Sequence, residues 1–482
     1  MSETIAEMIL PGTYIEVRSE GLIAVGSIAT GNVGVVGTAG RGPLGVATPL
    51  SGAAEAIDTF GPADPFATPA EAGGPLSLTR AVQQVFAGGG SSVYAVRIAG
   101  GDPASATLTI PASTNNAFLL TAAGPTDPPP PAAPVGGSWG NEIRVVVVDN
   151  GSGTTPRFRM TVSYRGRREV YEGSNVGQLR TAVETGGSQL IRVSDPPADP
   201  ATATTNLAPS DARLTGGTSV PVVNATHVAA GLAALEDQNV NLVVVAGLGA
   251  SVAAAPVLAH LTTTETEGHE RIAVIGASGN DPTTVLNDAA GVASGRIVLV
   301  APGIKVSEPG QTGRVSLPPS ATAAIVAGRL AAIAPHISLT NQTLPIEELD
   351  QSYSSTVHKN LLQNRVLTVR RRFGQQIVRG ISTDPGAFSQ ISVRRTVDYA
   401  KAGVRLGANP YIGKLNNARV RAALKATLDG FFSQMVLDEM LVGYQLDVNA
   451  TRAQEIRGIC SVIVTLQPTF SIDFVRVTMN LE

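Results

Sequence analysis

Apolar and polar residues alternate after the turn signal Pro11-Gly12: Thr13, Ile15 and Val17 point one way, Tyr14, Glu16, Arg18 and Glu20 the other. A period of two predicts a half-buried strand. The next apolar run, GNVGVVG (Gly31 to Gly37), is separated from it by LIAVGSIAT and not by a hairpin turn, so this strand has no local partner. The final segment, VRVTMNLE, repeats the pattern, with Val475, Val477, Met479 and Leu481 set against Arg476, Thr478, Asn480 and Glu482. Two lone strands therefore need partners far away in sequence or on another molecule.

Between them the period changes. Leu78, Val82, Val85 and Phe86 in LSLTRAVQQVFAGGG follow helical spacing, with a glycine stop and then a strand in SSVYAVRIAG. From Gly101 to about Pro221, short alternating runs such as NEIRVVVVDN and RFRMTVSYRGRREVYEG are divided by Gly, Ser, Thr and Pro clusters, and TDPPPPAAP (Thr126 to Pro134) reads as an extended proline linker. This stretch predicts a β-rich, peripheral insertion. From about Asn224, the continuous apolar runs NLVVVAG, RIAVIGA and RIVLVAPG alternate with the helical SVAAAPVLAHLTTTE and DPTTVLNDAAGV. Such runs predict a parallel sheet covered on both faces, a doubly wound α/β core. Near the end, Val420, Leu424, Leu428, Phe431 and Met435 mark an amphipathic helix after an Asn cap in NNARVRAALKATLDGFFSQMV. The expected organisation is an arm and linker over 1–24, the first part of the core over 25–100, the insertion over 101–223, the rest of the core over 224–370, and an α+β C-terminal domain over 371–482.

Composition narrows the function. The 482 residues are 43% hydrophobic and only 15% charged, with 52 Gly and 32 Pro, a turn-rich chain with a bland surface of the kind that neighbours cover. A net charge of -3 gives no general reason to bind nucleic acid. A single cysteine, Cys460, excludes an intrachain disulfide and suits a reducing compartment. No secretion signal is read, and the longest bland run, Ser320 to Ala334, is short for a bilayer and interrupted by Arg329, so membrane insertion is not expected.

Candidate chemistry is thin. VVVAGLGASV places Gly247 and Gly249 after a strand, but Val252 stands where a dinucleotide loop needs its third glycine. GANPYIGKL sets Gly407 and Gly413 one residue too far apart for a phosphate loop, with Leu415 in place of the magnesium-binding hydroxyl. His260, Glu265, Glu267, His269 and Glu270 read as a solvated helix end with no metal-ligand spacing, and GRRE and LTVRRRFG as solvated or ion-paired surface. No cofactor, metal or catalytic residue is expected. A dinucleotide-dependent enzyme and a self-assembling shell or surface-layer protein are the rival readings.

The ordered set PGTYIEV, VGVVGTAGRGPLG, AIDTFG, AVQQVFAGGGSSVYAVRI, GGSWGNEIRVVV, SLPPSATAAIVAGRL and RGISTDPGAFSQISVRRTVDYA resembles the tail sheath proteins of contractile-tailed bacteriophages and related contractile injection machines. The resemblance implies a non-catalytic subunit. Such subunits form hexameric rings stacked as a helical sheath around an inner tail tube, end at baseplate and tail terminator proteins, are assembled in a bacterial cytoplasm, and shorten to drive the tube through an envelope. It also implies terminal arms that add strands to neighbouring subunits, which would place Tyr14, Ile15, Val17, Val475, Val477, Met479 and Leu481 between subunits. Gly21, Gly26 and Gly31 are then expected to act as hinges of the first linker, and Lys414, Arg419, Arg421 and Lys425 to face the tube.

Overall fold

The structure is a computed structural model that describes residues 28–66, 74–124, 136–151, 157–308 and 312–480. The chain divides into two compact units. The larger holds residues 31–332 and 341–385, and the described residues of the smaller are 28–30, 333–340 and 386–480.

Valine-rich runs build the larger unit. Its nine-stranded sheet runs, edge to edge, Thr343–Leu344, Gln375–Ile377, Val366–Arg371, Ile297–Ala301, Ile272–Gly276, Leu242–Gly249, Asn32–Thr38, Ser92–Ile98 and Ala47–Leu50. The inner strands, from Val366–Arg371 to Ser92–Ile98, are parallel, and an antiparallel strand flanks them on each side. Two glycines show how both faces are covered. On strand Asn32–Thr38, a side chain at Gly34 would lie 2.7 Å from Leu235, beyond helix Ala225–Ala233, whereas one at Gly37 would lie 3.2 Å from Leu78 of helix Leu78–Ala87. Successive strand residues point to opposite faces, and the odd spacing of these two therefore seats one helix against each face.

Helix Pro319–Ala332 is buried on nearly every side, which is why its sequence shows no polar face. It crosses Leu78–Ala87 at a glycine contact: a side chain at Gly88 would meet the Ile325 carbonyl at 2.3 Å, and one at Gly328 the Val85 carbonyl at 2.0 Å. Both helix axes approach as closely as backbone allows. The glycine run read as a helix stop thus also makes a helix–helix contact.

Residues 106–214 fold around their own core, which includes Phe118, Trp139, Ile143, Met160 and Leu179. One sheet joins Ser210–Arg213, Arg144–Asp149, Phe158–Tyr164 and Arg167–Gly173, and another Thr107–Pro111, Asn116–Ala122 and Ile191–Ser194. Trp139 lies edge-on to Tyr164 at 5.2 Å and under the Arg41 guanidinium at 4.3 Å, tying this insertion to the core. The proline run Thr126 to Pro134 lies outside the described residues.

Several expectations are corrected. The sheet continues through Val366–Arg371 to Gln375–Ile377, so the smaller unit resumes at Gly386 and not near Arg371. His260 is no solvated helix end but is 5% exposed, and its Nε2 lies 2.8 Å from Nη1 of the fully buried Arg271. Burial, and then Arg271, push this imidazole down to about 4. The neutral ring is therefore the acceptor. Gly249 does precede a helix, Ala250–Thr266, but Ser278 fills the space a phosphate would need: its Oγ accepts from Ser251 N at 2.9 Å and donates to Asp288 at 3.0 Å.

Candidate assembly interface

The smaller unit is a helical pair carrying a hairpin. Helix Ala418–Leu437 starts at Asn417, whose side chain accepts from Val420 N at 2.9 Å, the cap read from the sequence. Leu424, Leu428, Phe431 and Met435 are buried as their spacing predicts, Val420 is half-buried, and Phe432 widens the apolar face. The partner helix, Ile391–Ala408, approaches at Gly403, where a side chain would lie 1.9 Å from the Phe431 ring. Strands Leu441–Asn449 and Ser461–Pro468 pair antiparallel and lay Leu446, Val448, Val462 and Val464 on this core. Among the described residues each strand pairs only with the other. The hairpin therefore presents an unpaired edge on each side.

From Thr469 to Asn480 the described chain has no regular structure. Phe470, Ile472, Phe474, Val475, Val477 and Met479 are all between 62% and 85% exposed. The strand expected over Val475, Val477, Met479 and Leu481 does not form over the described part of the segment, which pairs with neither free edge of its own hairpin; Leu481 itself lies outside the described residues. The segment is nonetheless held at Asp473, whose carboxylate accepts from Thr340 Oγ1 at 3.0 Å and Gln390 Nε2 at 3.4 Å. From Phe474 to Met479 the tail is an apolar ribbon joined to its own subunit through this polar anchor.

Tyr14, Ile15, Val17, Gly21 and Gly26 lie outside the described residues. Gly31 is described, and it does not suit a swivel: a side chain there would sit 2.6 Å from the Ala331 carbonyl, so this glycine serves close backbone packing. Of the four cations expected to face a tube, Lys414, Arg419 and Lys425 are exposed. Lys414 lies over the Tyr411 ring at 5.0 Å. Arg421 is instead committed to its own subunit, 2.9 Å from Glu455 and 2.9 Å from Asn416 Oδ1. Hydrogen bonds from Arg452 and Arg421 hold the Glu455 carboxyl below its ordinary range.

Sequence reasoning gave no role to Arg395, one of the paired arginines in SVRRTVDYA. Its buried guanidinium donates to three main-chain carbonyls, Ile333 at 3.1 Å, Thr30 at 3.3 Å and Ala334 at 3.4 Å. Burial alone pushes it down to about 10. It gathers the segment that emerges from the first linker and the segment around residue 333 onto one helix. A lone arginine in an amphipathic pattern gives no sequence signal for such a role.

Residues 383–482 match the family model described as the phage tail sheath C-terminal domain. The chain carries a tail sheath C-terminal domain on a sheath-protein fold. A sheath tail protein from Desulfitobacterium hafniense superposes with a TM-score of 0.65 at 17% identity, over 95% of this chain and 100% of that one. One from Listeria innocua gives 0.62 at 13% identity, over 92% and 96%. The helical sheath of the anti-feeding prophage, solved in its contracted state, gives 0.57 at 13% identity, over 99% and 100%. At these identities the likeness establishes the sheath fold. No curated protein matches the sequence significantly. The matched sheath domain contains both helices, the hairpin and the apolar tail described above.

Proposed function

We propose that the chain is the subunit of a contractile sheath: a structural, non-enzymatic protein that polymerises as stacked hexameric rings around an inner tube and shortens to drive that tube through a target envelope. The observation that carries the reading is the exposed tail from Phe470 to Met479 beside a hairpin with two unpaired edges. Leaving so many large apolar side chains in water is unfavourable, and an extended ribbon buries them by adding as a strand to another subunit's sheet. The first segment, with Tyr14, Ile15 and Val17, would serve the second edge in the same way. Subunits so joined form a mesh that survives rotation of their bodies, with the chain from Gly21 to Gly26 as tether.

Arg419, Lys425 and Lys414 would face the tube through weak, salt-screened contacts that permit release. Baseplate and terminator proteins would cap the polymer. The relatives support this setting, since two of them are sheaths solved in a contracted state and one belongs to a baseplate assembly. Negative-stain microscopy of the purified chain tests the reading: tubes or stacked rings are expected, whereas flat lattices or discrete small oligomers would overturn it.

A further inference from the structure

The hairpin joining Val366–Arg371 to Gln375–Ile377 overhangs the large sheet. Ala301, the last residue of the neighbouring strand, lies level with Thr368, so the residues after Thr368 project past the ends of the parallel strands. Gly374, at φ +108, closes the turn, and Arg372 N donates to the Gly374 carbonyl at 2.9 Å. At the tip, Arg371 and Arg372 are exposed and Phe373 is 87% exposed. Among the described residues Arg370, Arg371 and Arg372 have no carboxylate within ion-pair distance, and Arg370 Nε is buried without a hydrogen-bond partner. Several surface arginines elsewhere in this unit are paired, as Arg144 is with Asp211, Arg165 with Glu142 and Arg314 with Glu347, whereas the exposed Arg168, Arg192 and Arg213 are not, among the described residues.

The opposite charge lies at the opposite end of the sheet. Glu236 and Asp237 precede strand Leu242–Gly249, and Glu267 precedes Ile272–Gly276. Arg271 fixes this end by donating to the Glu236 carbonyl at 2.7 Å and the Gln238 carbonyl at 2.8 Å. The three carboxylates all act on that one buried cation, and with Arg296 before Ile297–Ala301 paired to Glu265 and Arg365 before Val366–Arg371 as the other cation, the carboxylates here still outnumber the arginines. Counting along the paired strands, the two ends lie roughly 30 Å apart at about 3.3 Å per residue.

We propose that these ends dock head to tail, the Arg371–Arg372–Phe373 tip of one copy seating on the Glu236, Asp237 and Glu267 face of a second copy. Guanidinium forks match carboxylates, and Phe373 supplies apolar area that the contact would bury. A second copy is the occupant because one chain, nearly neutral overall, carries both complementary excesses. Because the two patches differ, the contact is heterologous, and such a contact propagates or closes a ring and does not stop at a dimer. The inference takes its setting from the polymer reading but concerns a surface distinct from the exchanged tail.

The test uses two full-length variants, R371E/R372E and D237K/E267K, all at exposed positions. The first carries negative charge at both ends, the second positive charge at both. Each alone should associate at least about tenfold more weakly than wild type at low ionic strength, equivalent to ~1.4 kcal/mol, as read by sedimentation velocity, and R371E/R372E should do so with an unchanged melting temperature. Mixed in equal amounts they should regain association, since each tip then meets an opposite charge. Recovery as short oligomers without tubes supports the contact even where the sheath reading fails. Tubes formed by either variant alone, or no recovery on mixing, would overturn it while leaving the sheath reading untouched.

Discussion

The Thr30 carbonyl accepts a hydrogen bond from Arg395 Nη2 at 3.3 Å, across 365 positions of sequence. On the proposed sheath reading, this bond would pass pull arriving along the first linker to the helix Ile391–Ala408. Replacing Arg395 by Met takes the side-chain donor from the Thr30 and Ile333 carbonyls, while the Ala334 carbonyl keeps Ile337 N at 3.1 Å, and a buried group left unsatisfied costs about 1–3 kcal/mol. R395M should melt several degrees below wild type, and R395K should recover only part of the loss because an ammonium cannot reproduce the planar fork. A wild-type melt for R395M would show that the carbonyls are satisfied in some other way.

Gly403 is a volume constraint on the other helix. Alanine there would place a methyl 1.9 Å from the Phe431 ring, and Phe431 is itself stacked on Tyr399 at 5.9 Å and packed on Phe432 at 5.3 Å. Overpacking of this kind costs about 1–3 kcal/mol. G403A should destabilise the smaller unit, and adding F431L should restore part of the loss by vacating the space. Thermal melts of the two proteins decide it.

These two contacts also mark the limit of what the sequence discloses. The strands Leu242–Gly249, Ile272–Gly276 and Ile297–Ala301 were legible because a strand buried on both faces must be apolar at every position. Helix Ala418–Leu437 was legible because it is buried on one side only, so Leu424, Leu428, Phe431 and Met435 stand out at their spacing. Gly403 and Gly88 gave no such sign, since what they accommodate comes from another helix. His260 was misread because charged neighbours in sequence say nothing of Arg271, which folds back over it. The apolar alternation of the tail was visible, yet a strand is a property of a pair, and in the single chain the tail does not pair with the hairpin's free edges.

Stability should depend on acid through His260. Its ordinary value of 6.5 is pushed down to about 4 in the folded chain, so between those values the unfolded chain takes up a proton that the folded chain refuses. The contribution is fully present above pH 6.5 and is lost as pH falls toward 4, at no more than about 1.4 kcal/mol per pH unit. Urea melts from pH 7 to 4.5 should show a steeper loss for wild type than for H260Q. Parallel curves would remove His260 from the account.

Arg419 and Lys425 are exposed, whereas Arg421 is paired with Glu455. R419E/K425E should therefore leave the stability within about 0.5 kcal/mol of wild type while weakening assembly on tubes at low salt. R421E should instead destabilise the subunit itself by opposing Glu455. Normal assembly of R419E/K425E on tubes would detach this helix face from the tube.

The central claim is that the tail from Phe470 to Met479 becomes a strand only in a neighbour's sheet. Hydrogen exchange read by mass spectrometry on peptides covering residues 470–480, in dilute monomer and in assembled polymer, tests it most directly. The amides should exchange at nearly unprotected rates in the monomer and slow by at least about a hundredfold in the polymer, as ladder hydrogen bonds require. Equal exchange in both states, in polymer that microscopy shows to be intact, would contradict the claim.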